Sequence, residues 1–159
     1  MTFALVLVFF FVLFQLPPIA RRLPAQRDRA AWAAGFFFAG AGVLHFVTPE
    51  RYVAMIPPAL PAPELLVWLS GAAEIACGAA LLPRRSRRAA AFATIALLFA
   101  VLPANVHVAL AGGSIDGLPS SRAYYLARVP FQLIYVAWVA WAGGLRLRAR
   151  TYPAAEARR

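Results

Sequence analysis

A single carboxylate interrupts the apolar sequence LSGAAEIACGAALLP in the middle of the chain. Glu74 is the only charged residue between Leu65 and Pro83, and it follows Glu64 by ten residues. Along an α-helix this separation places it about 15 Å below Glu64. A carboxylate facing lipid at this depth would be strongly unfavourable, so Glu74 should face other helices and be paired or protonated there. Two roles fit this position: ligand binding or proton handling, and a structural hydrogen bond between helices.

Polar side chains in three other apolar runs lie at related depths. His45 is close to one end of its run, and imidazole exchanges protons near neutral pH. Asn105 can donate and accept hydrogen bonds, and it follows Pro103, which lacks an amide hydrogen and predicts a kink. Arg128 and Gln132, four residues apart, share one helical face. The convergence of these side chains with the buried carboxylate predicts a polar pocket inside the bundle.

Each candidate also has a purely structural interpretation. His45 could bond to backbone or water at the interface, and Asn105 could satisfy the backbone at a kink. Arg128 lies at the positive end of its helix and therefore needs an anion, for which Glu74, Asp116, a ligand or a lipid phosphate would serve. No catalytic residue is assigned and no metal site is predicted. The candidates for ligand binding or proton handling are His45, Glu74, Asn105, Arg128 and Gln132.

The elements that must position these side chains are apolar throughout. The chain has 159 residues, of which 62% are hydrophobic and 14% charged, whereas a soluble domain carries about 25% charged residues. Five soluble helices would need polar outer faces, which these runs lack. We therefore predict an all-α membrane protein with five transmembrane helices. The five runs are 3–20, 31–47, 64–82, 89–111 and 129–145.

The distribution of arginine predicts the orientation. All 16 basic residues are Arg, and the successive segments between and after the runs carry 4, 1, 4, 2 and 5 of them. One side of the membrane thus receives 13 and the other 3. By the positive-inside rule the N-terminus lies outside and the C-terminus in the cytoplasm, in a plasma or inner membrane, and the pocket opens outward. The positive charge is then a topology signal, and nucleic acid is not a predicted partner.

Three segments follow from this pattern. Residues 1–30 form an anchor helix and cytoplasmic loop, 31–145 a four-helix membrane bundle, and 146–159 an Arg-rich cytoplasmic tail. The first run lacks the preceding basic residues of a signal peptide, which favours a retained helix. Asp28 is a candidate helix cap. The RYVAMI sequence is a candidate for a short helix at the level of the lipid headgroups. Tyr124 and Tyr125 are candidate anchors at the membrane interface. The lone Cys77 excludes an internal dithiol couple.

Several motifs in order resemble the DoxX-like membrane proteins. They are GAGVLHF, PERYVAMIPPALP, LSGAAEIACGAALLP, the Arg-rich turn, PANVHVAL and RVPFQLIYVAW, and the similarity covers roughly residues 35 to 142. The resemblance implies that the second to fifth helices form a four-helix bundle, preceded here by an extra helix as in one subgroup. Members of that family include a subunit associated with thiosulfate:quinone oxidation and proteins linked to redox-enzyme maturation.

Three functions are compatible with these features. The first is a redox- or quinone-associated membrane subunit, in which quinone is the cofactor considered and electrons come from a redox protein partner or from a diffusible quinone. If the chain is an enzyme, it is then an oxidoreductase subunit that acts with a partner. It would need the partner because no haem ligand pair, flavin motif or iron–sulfur cysteine set is evident in the sequence. The second is a non-catalytic accessory or assembly protein that binds lipid or a small molecule. The third is a small proton-coupled transporter, which the lack of a visible inverted repeat disfavours unless the chain forms a homo-oligomer.

Overall fold

The computed structural model describes residues 2–111, 115 and 121–145, and the regular secondary structure in this part of the chain is entirely helical. The prediction of an all-α protein is therefore confirmed for these residues. The helices are α1 (Thr2–Leu13), α2 (Pro17–Ala20), α3 (Gln26–Val47), α4 (Pro49–Val53), α5 (Pro63–Leu81), α6 (Arg87–Ala111) and α7 (Arg122–Ala142).

Within the described residues, three helices are long and apolar enough to cross a membrane, namely α3, α5 and α6. The chain is thus a membrane protein by length and composition of its helices. The first apolar run differs from its predicted single helix, because Pro17 and Pro18 begin a separate short helix. Its main part, α1, has 12 residues, which correspond to about 18 Å of helix. This length is shorter than the hydrocarbon core of a membrane, which is about 30 Å thick.

The four long helices pack side by side in a ring. Helix α5 contacts α3 and α6, and α7 contacts α6 and α3, while α1 lies against α3. One end of this ring contains the start of α3 and the turn between α5 and α6; we call it the arginine end, after Arg84 and Arg87. The opposite end contains the end of α3 and the start of α5, and we call it the cavity end.

Glycine allows α3 and α5 to approach each other closely. A Cβ atom added to Gly42 would lie 2.5 Å from the carbonyl oxygen of Gly71, and one added to Gly78 would lie 2.6 Å from that of Gly35. Real side chains do not fit at such distances, so the two backbones are in direct contact. These glycines therefore set the distance between the two helices that carry the histidine and the buried carboxylate.

The position of Asp28 had suggested that it caps α3, but it does not. The N-cap residue is Ala25, and the buried Asp28 carboxylate instead accepts hydrogen bonds from the guanidinium groups of Arg84 and Arg87. Arg87 also donates to the carbonyl oxygen of Leu81 at 3.0 Å. Two charged donors are stronger partners for a buried carboxylate than neutral backbone amides are. This cluster ties the start of α3 to the turn between α5 and α6.

The cavity end is covered by the segment after α3. The RYVAMI sequence was expected to be helical at the headgroup level, and its first residues do belong to α4. However, Met55 is buried against Val108 and Tyr125 rather than exposed. Tyr125, an expected interface anchor, is also fully buried. These side chains turn inward because the chain folds back over the bundle and offers them an apolar surface to cover.

Candidate functional site

A partly open cavity of about 110 Å³ lies at the cavity end, among α3, α5, α6 and α7. Its apolar lining is formed by Phe37, Phe38, Ala41, Leu98, Val101 and Phe131. Its polar and tyrosine lining is formed by His45, Tyr52, Glu74, Asn105, Tyr124, Arg128, Gln132 and Tyr135. The structure thus brings all five candidate side chains to one cavity, and Pro103 does not line it. Their roles in binding or proton handling stay predictions.

His45 is held in one orientation by α5 and by the segment that follows α3. Its Nδ1 atom lies 3.0 Å from the carbonyl oxygen of Val67 and 3.1 Å from Oγ of Ser70. The ring of Tyr52 packs on the imidazole with the centroids 3.8 Å apart. Nε2 faces Glu74, with 3.7 Å between Nε2 and Oε2. The backbone-bonded histidine that was considered as an alternative is therefore present, and the same ring also lines the cavity.

Glu74 occupies the middle of α5 and its side chain is 14% exposed. Oε2 of Glu74 has no hydrogen-bond partner among the residues that the structure describes, so neither His45 nor Asn105 is bonded to it. The 3.7 Å separation from Nε2 exceeds hydrogen-bonding distance. The imidazole is held at this distance by the bond from its other nitrogen to α5 and by the ring of Tyr52 on its face. The carboxyl group therefore keeps hydrogen-bonding capacity toward the cavity.

Asn105 and Gln132 form a short chain of hydrogen bonds between α6 and α7. Nδ2 of Asn105 donates to Oε1 of Gln132 at 3.2 Å, and Nε2 of Gln132 donates to the carbonyl oxygen of Leu98. Pro103 lies inside α6, which continues past it to Ala111. Gln132 is buried, so this chain supplies the partner that a buried amide requires. It joins α6 to α7 on one wall of the cavity.

Arg128 is half-buried in the second turn of α7 and lines the cavity together with Glu74. Of the anions proposed for it, Asp116 lies outside the described residues. A guanidinium group offers five donors and no acceptor, so it favours a ligand that carries oxygen atoms.

The comparison with protein families places these features in a known domain. The model of a domain of unknown function, DUF8561, matches residues 34–143. The chain belongs to the DUF8561 family. The match includes every residue that lines the cavity, whereas α1 and α2 precede it. Searches of curated proteins and of solved structures found no match.

A second lobe adjoins the cavity of the DUF8561 domain and shares part of its lining. This lobe is lined by Met55, Ile56, Val67, Ser70 and Ala104, and it shares His45, Tyr52, Glu74, Val101, Asn105 and Arg128 with the first. The shared side chains therefore stand between two spaces, one with mainly aromatic walls and one with aliphatic walls. A ligand held by these polar groups would have apolar surroundings on either side.

Tyr52 is the main site residue of the DUF8561 domain that sequence reasoning missed. It lies in α4, outside the long helices, so helical spacing gives no indication that it faces His45. The one available signal was the amphipathic RYVAMI sequence. Burial raises the pKa of Tyr52 to about 12, so its hydroxyl group stays protonated at neutral pH and can donate a hydrogen bond. Ser70, in contrast, belongs to the small and polar stripe that the sequence of α5 shows.

The chemistry open to this site is binding and proton transfer. It combines an imidazole, a carboxyl group and a guanidinium group with aromatic walls that hold flat rings well. Within residues 2–111, 115 and 121–145, no group of three or more His, Cys, Asp or Glu side chains is arranged to hold a metal ion.

Proposed function

We propose that this chain is a DoxX-like, redox-associated membrane subunit whose cavity binds the ring of a quinone. The observation that carries the proposal is the convergence of five polar side chains from four helices on one aromatic-lined cavity. Ligand sites in proteins commonly combine apolar walls with a few convergent polar groups. The five-helix organisation, with the second to fifth helices as the bundle, is part of the same proposal.

The size of the cavity favours a single ring. An apolar cavity of about 150 Å³ in another protein accepts benzene. The cavity of this protein has a similar volume of about 110 Å³, and it is partly open. A ring of this kind can enter while an attached isoprenoid chain remains outside, among lipids. Arg128, Asn105 and Tyr52 carry donors that suit the carbonyl oxygens of a quinone.

The orientation of the protein is proposed from the two ends of the bundle. The arginine end carries Arg84, Arg85, Arg87 and Arg88 in one turn and the following helix. The loop before α3 adds two more arginines, and the start of α3 another two. This end should face the cytoplasm, and the cavity end the outside.

Cysteine labelling in intact cells tests this orientation. With Cys77 replaced by Ser, a membrane-impermeant thiol reagent should label Leu60→Cys, in the exposed loop before α5, and should leave Arg85→Cys unlabelled. Labelling of position 85 without position 60 contradicts the proposed orientation.

A non-catalytic binding or accessory protein is the second candidate function. It is favoured by the chain of hydrogen bonds from Asn105 through Gln132 to Leu98. Amide groups whose hydrogen bonds are already made to one another can form the wall of a cavity without taking part in chemistry. In that case lipid or another small molecule would occupy the site, and no redox partner would be required.

Extraction of the purified protein tests the first function against the second. The chain is purified in a mild detergent from its own membrane, and organic extracts are analysed by mass spectrometry for both redox forms of quinone. Ala41 lines the cavity, so Ala41→Trp should fill it and remove most of the bound quinone. Gly40→Ala is the matched control, because an added Cβ meets no atom within 4 Å there. Equal quinone content in both variants refutes the proposed site, and lipid alone in the wild type favours the second function.

A further inference from the structure

The hydrogen-bond partners of His45 determine which ring nitrogen carries the hydrogen. A carbonyl oxygen can only accept, so Nδ1, which lies 3.0 Å from the carbonyl oxygen of Val67, must be the donor. The hydroxyl group of Ser70 donates to the same carbonyl oxygen at 2.9 Å and therefore presents a lone pair to Nδ1. In the neutral imidazole the lone pair is then on Nε2.

This lone pair faces the cavity beside a carboxyl group. Nε2 of His45 and Oε2 of Glu74 are 3.7 Å apart, and both residues line the cavity. The gap is too long for a direct hydrogen bond, yet an oxygen atom placed beside it can lie within about 2.8 Å of both atoms. The hydrogen bond from Nδ1 to Val67 and the packing of Tyr52 on the ring hold the imidazole in the orientation that leaves this gap.

We propose that the gap between Nε2 of His45 and Glu74 binds the hydroxyl group of an aromatic ring, so that the cavity selects a phenol or hydroquinone over the ether or quinone of the same shape. A hydroxyl group can donate to Nε2 and also interact with the carboxyl group of Glu74. An ether or a quinone carbonyl has no hydrogen to donate, and it leaves Nε2 without a partner. This inference rests on the proposed function, since it requires that the cavity bind a ring at all.

The selectivity is tested on the full chain in phosphatidylcholine nanodiscs with 4-hexylphenol and 4-hexylanisole, which differ by the methyl group that removes the hydroxyl hydrogen. The phenol should bind about tenfold more tightly, the factor that corresponds to one net hydrogen bond in a buried site. A short-chain hydroquinone and its quinone, compared without oxygen, should show the same order. Equal binding within both pairs overturns the inference and leaves the proposed function standing. Binding of none of the four overturns both.

Two further measurements test the role of His45 itself. His45→Phe removes the lone pair and keeps a flat ring, so the phenol and the anisole should bind equally; His107→Phe is the matched control, because His107 lines neither lobe of the cavity. The chain has two histidines, so ¹⁵N NMR of the labelled wild type, assigned with the His107 variant, reads the tautomer directly and needs no folded His45 variant. A hydrogen on Nε2 in the neutral imidazole, or selectivity retained in His45→Phe, overturns the inference.

Discussion

Replacement of Asp28 by Asn should be among the most destabilising single changes at the arginine end. Its carboxylate accepts hydrogen bonds from Arg84 and Arg87, and only 5% of the Asp28 side chain is exposed. Asn retains the shape and one acceptor oxygen but removes the negative charge. The side chain of Arg87 is only 9% exposed, so its guanidinium group would then be a buried cation without its counter-ion.

The two arginines allow the expected cost to be separated by burial. Removing one partner of a buried ion pair costs about 3–5 kcal/mol, and we expect about 3 kcal/mol for Asp28→Asn because one acceptor remains. Arg84 binds the same carboxylate, but its side chain is 72% exposed, and water screens an ion pair at such a position, so this contact should stabilise the fold little. Arg87→Gln should therefore cost clearly more than Arg84→Gln, although both variants remove one guanidinium group from one aspartate.

Thermal unfolding in a non-ionic detergent, followed by circular dichroism, measures these differences. For a chain of this length about 3 kcal/mol corresponds to a fall in Tm of roughly 6–12 °C. Asp28→Asn and Arg87→Gln should lie in this range, and Arg84→Gln should lower Tm much less. Equal shifts for the two arginine variants would show that burial does not determine the strength of this cluster, and the reasoning would be wrong.

Three other predictions concern the cavity end. Glu74→Gln should unfold at nearly the wild-type temperature yet lose ligand binding or activity; wild-type behaviour in every functional assay would leave Glu74 as a polar contact between helices. Gly42→Ala should lower Tm because its Cβ would meet the backbone of α5, whereas Gly40→Ala should be neutral or stabilising; similar shifts contradict the close approach. Because burial raises the pKa of Tyr52 to about 12 from its ordinary value near 10, the unfolded chain releases that proton first, and stability should fall between pH 10 and 12. Tyr52→Phe should show a smaller fall across this interval, and an equal fall would exclude this origin.

The features that could be predicted from the sequence are those that depend on position along a helix. Hydropathy depends on neighbouring residues alone, so α3, α5 and α6 were recognisable as helices that can cross a membrane, whereas the prediction of five such helices stays a prediction. Depth follows from residue spacing, because each residue adds about 1.5 Å. For this reason His45, Asn105, Arg128 and Gln132 could be assigned to one half of the membrane, with Glu74 near its middle, before their contacts were known. The structure places all five around one cavity.

The features that could not be predicted depend on rotation about helix axes and on the path of loops. Asp28 meets arginines that are 56 and 59 residues away, and no local pattern distinguishes such a partner from a capping role. Tyr52 packs on His45 only because the chain turns back after α3. Hydropathy also gave one run for residues 3–20, where Pro17 and Pro18 begin a second helix.

The two ends of the bundle satisfy their buried polar groups to different degrees. At the arginine end, Asp28 has two guanidinium partners, and Arg87 has backbone carbonyl partners as well. At the cavity end, Oε2 of Glu74 has no hydrogen-bond partner among the described residues, although a buried polar atom in that state destabilises a fold. Proteins retain such costs mainly where function requires them. The cluster of Asp28, Arg84 and Arg87 can hold the helices together while Glu74 and His45 keep their hydrogen-bonding capacity for a ligand. This contrast between the two ends is the physical reason to look for function at the cavity end.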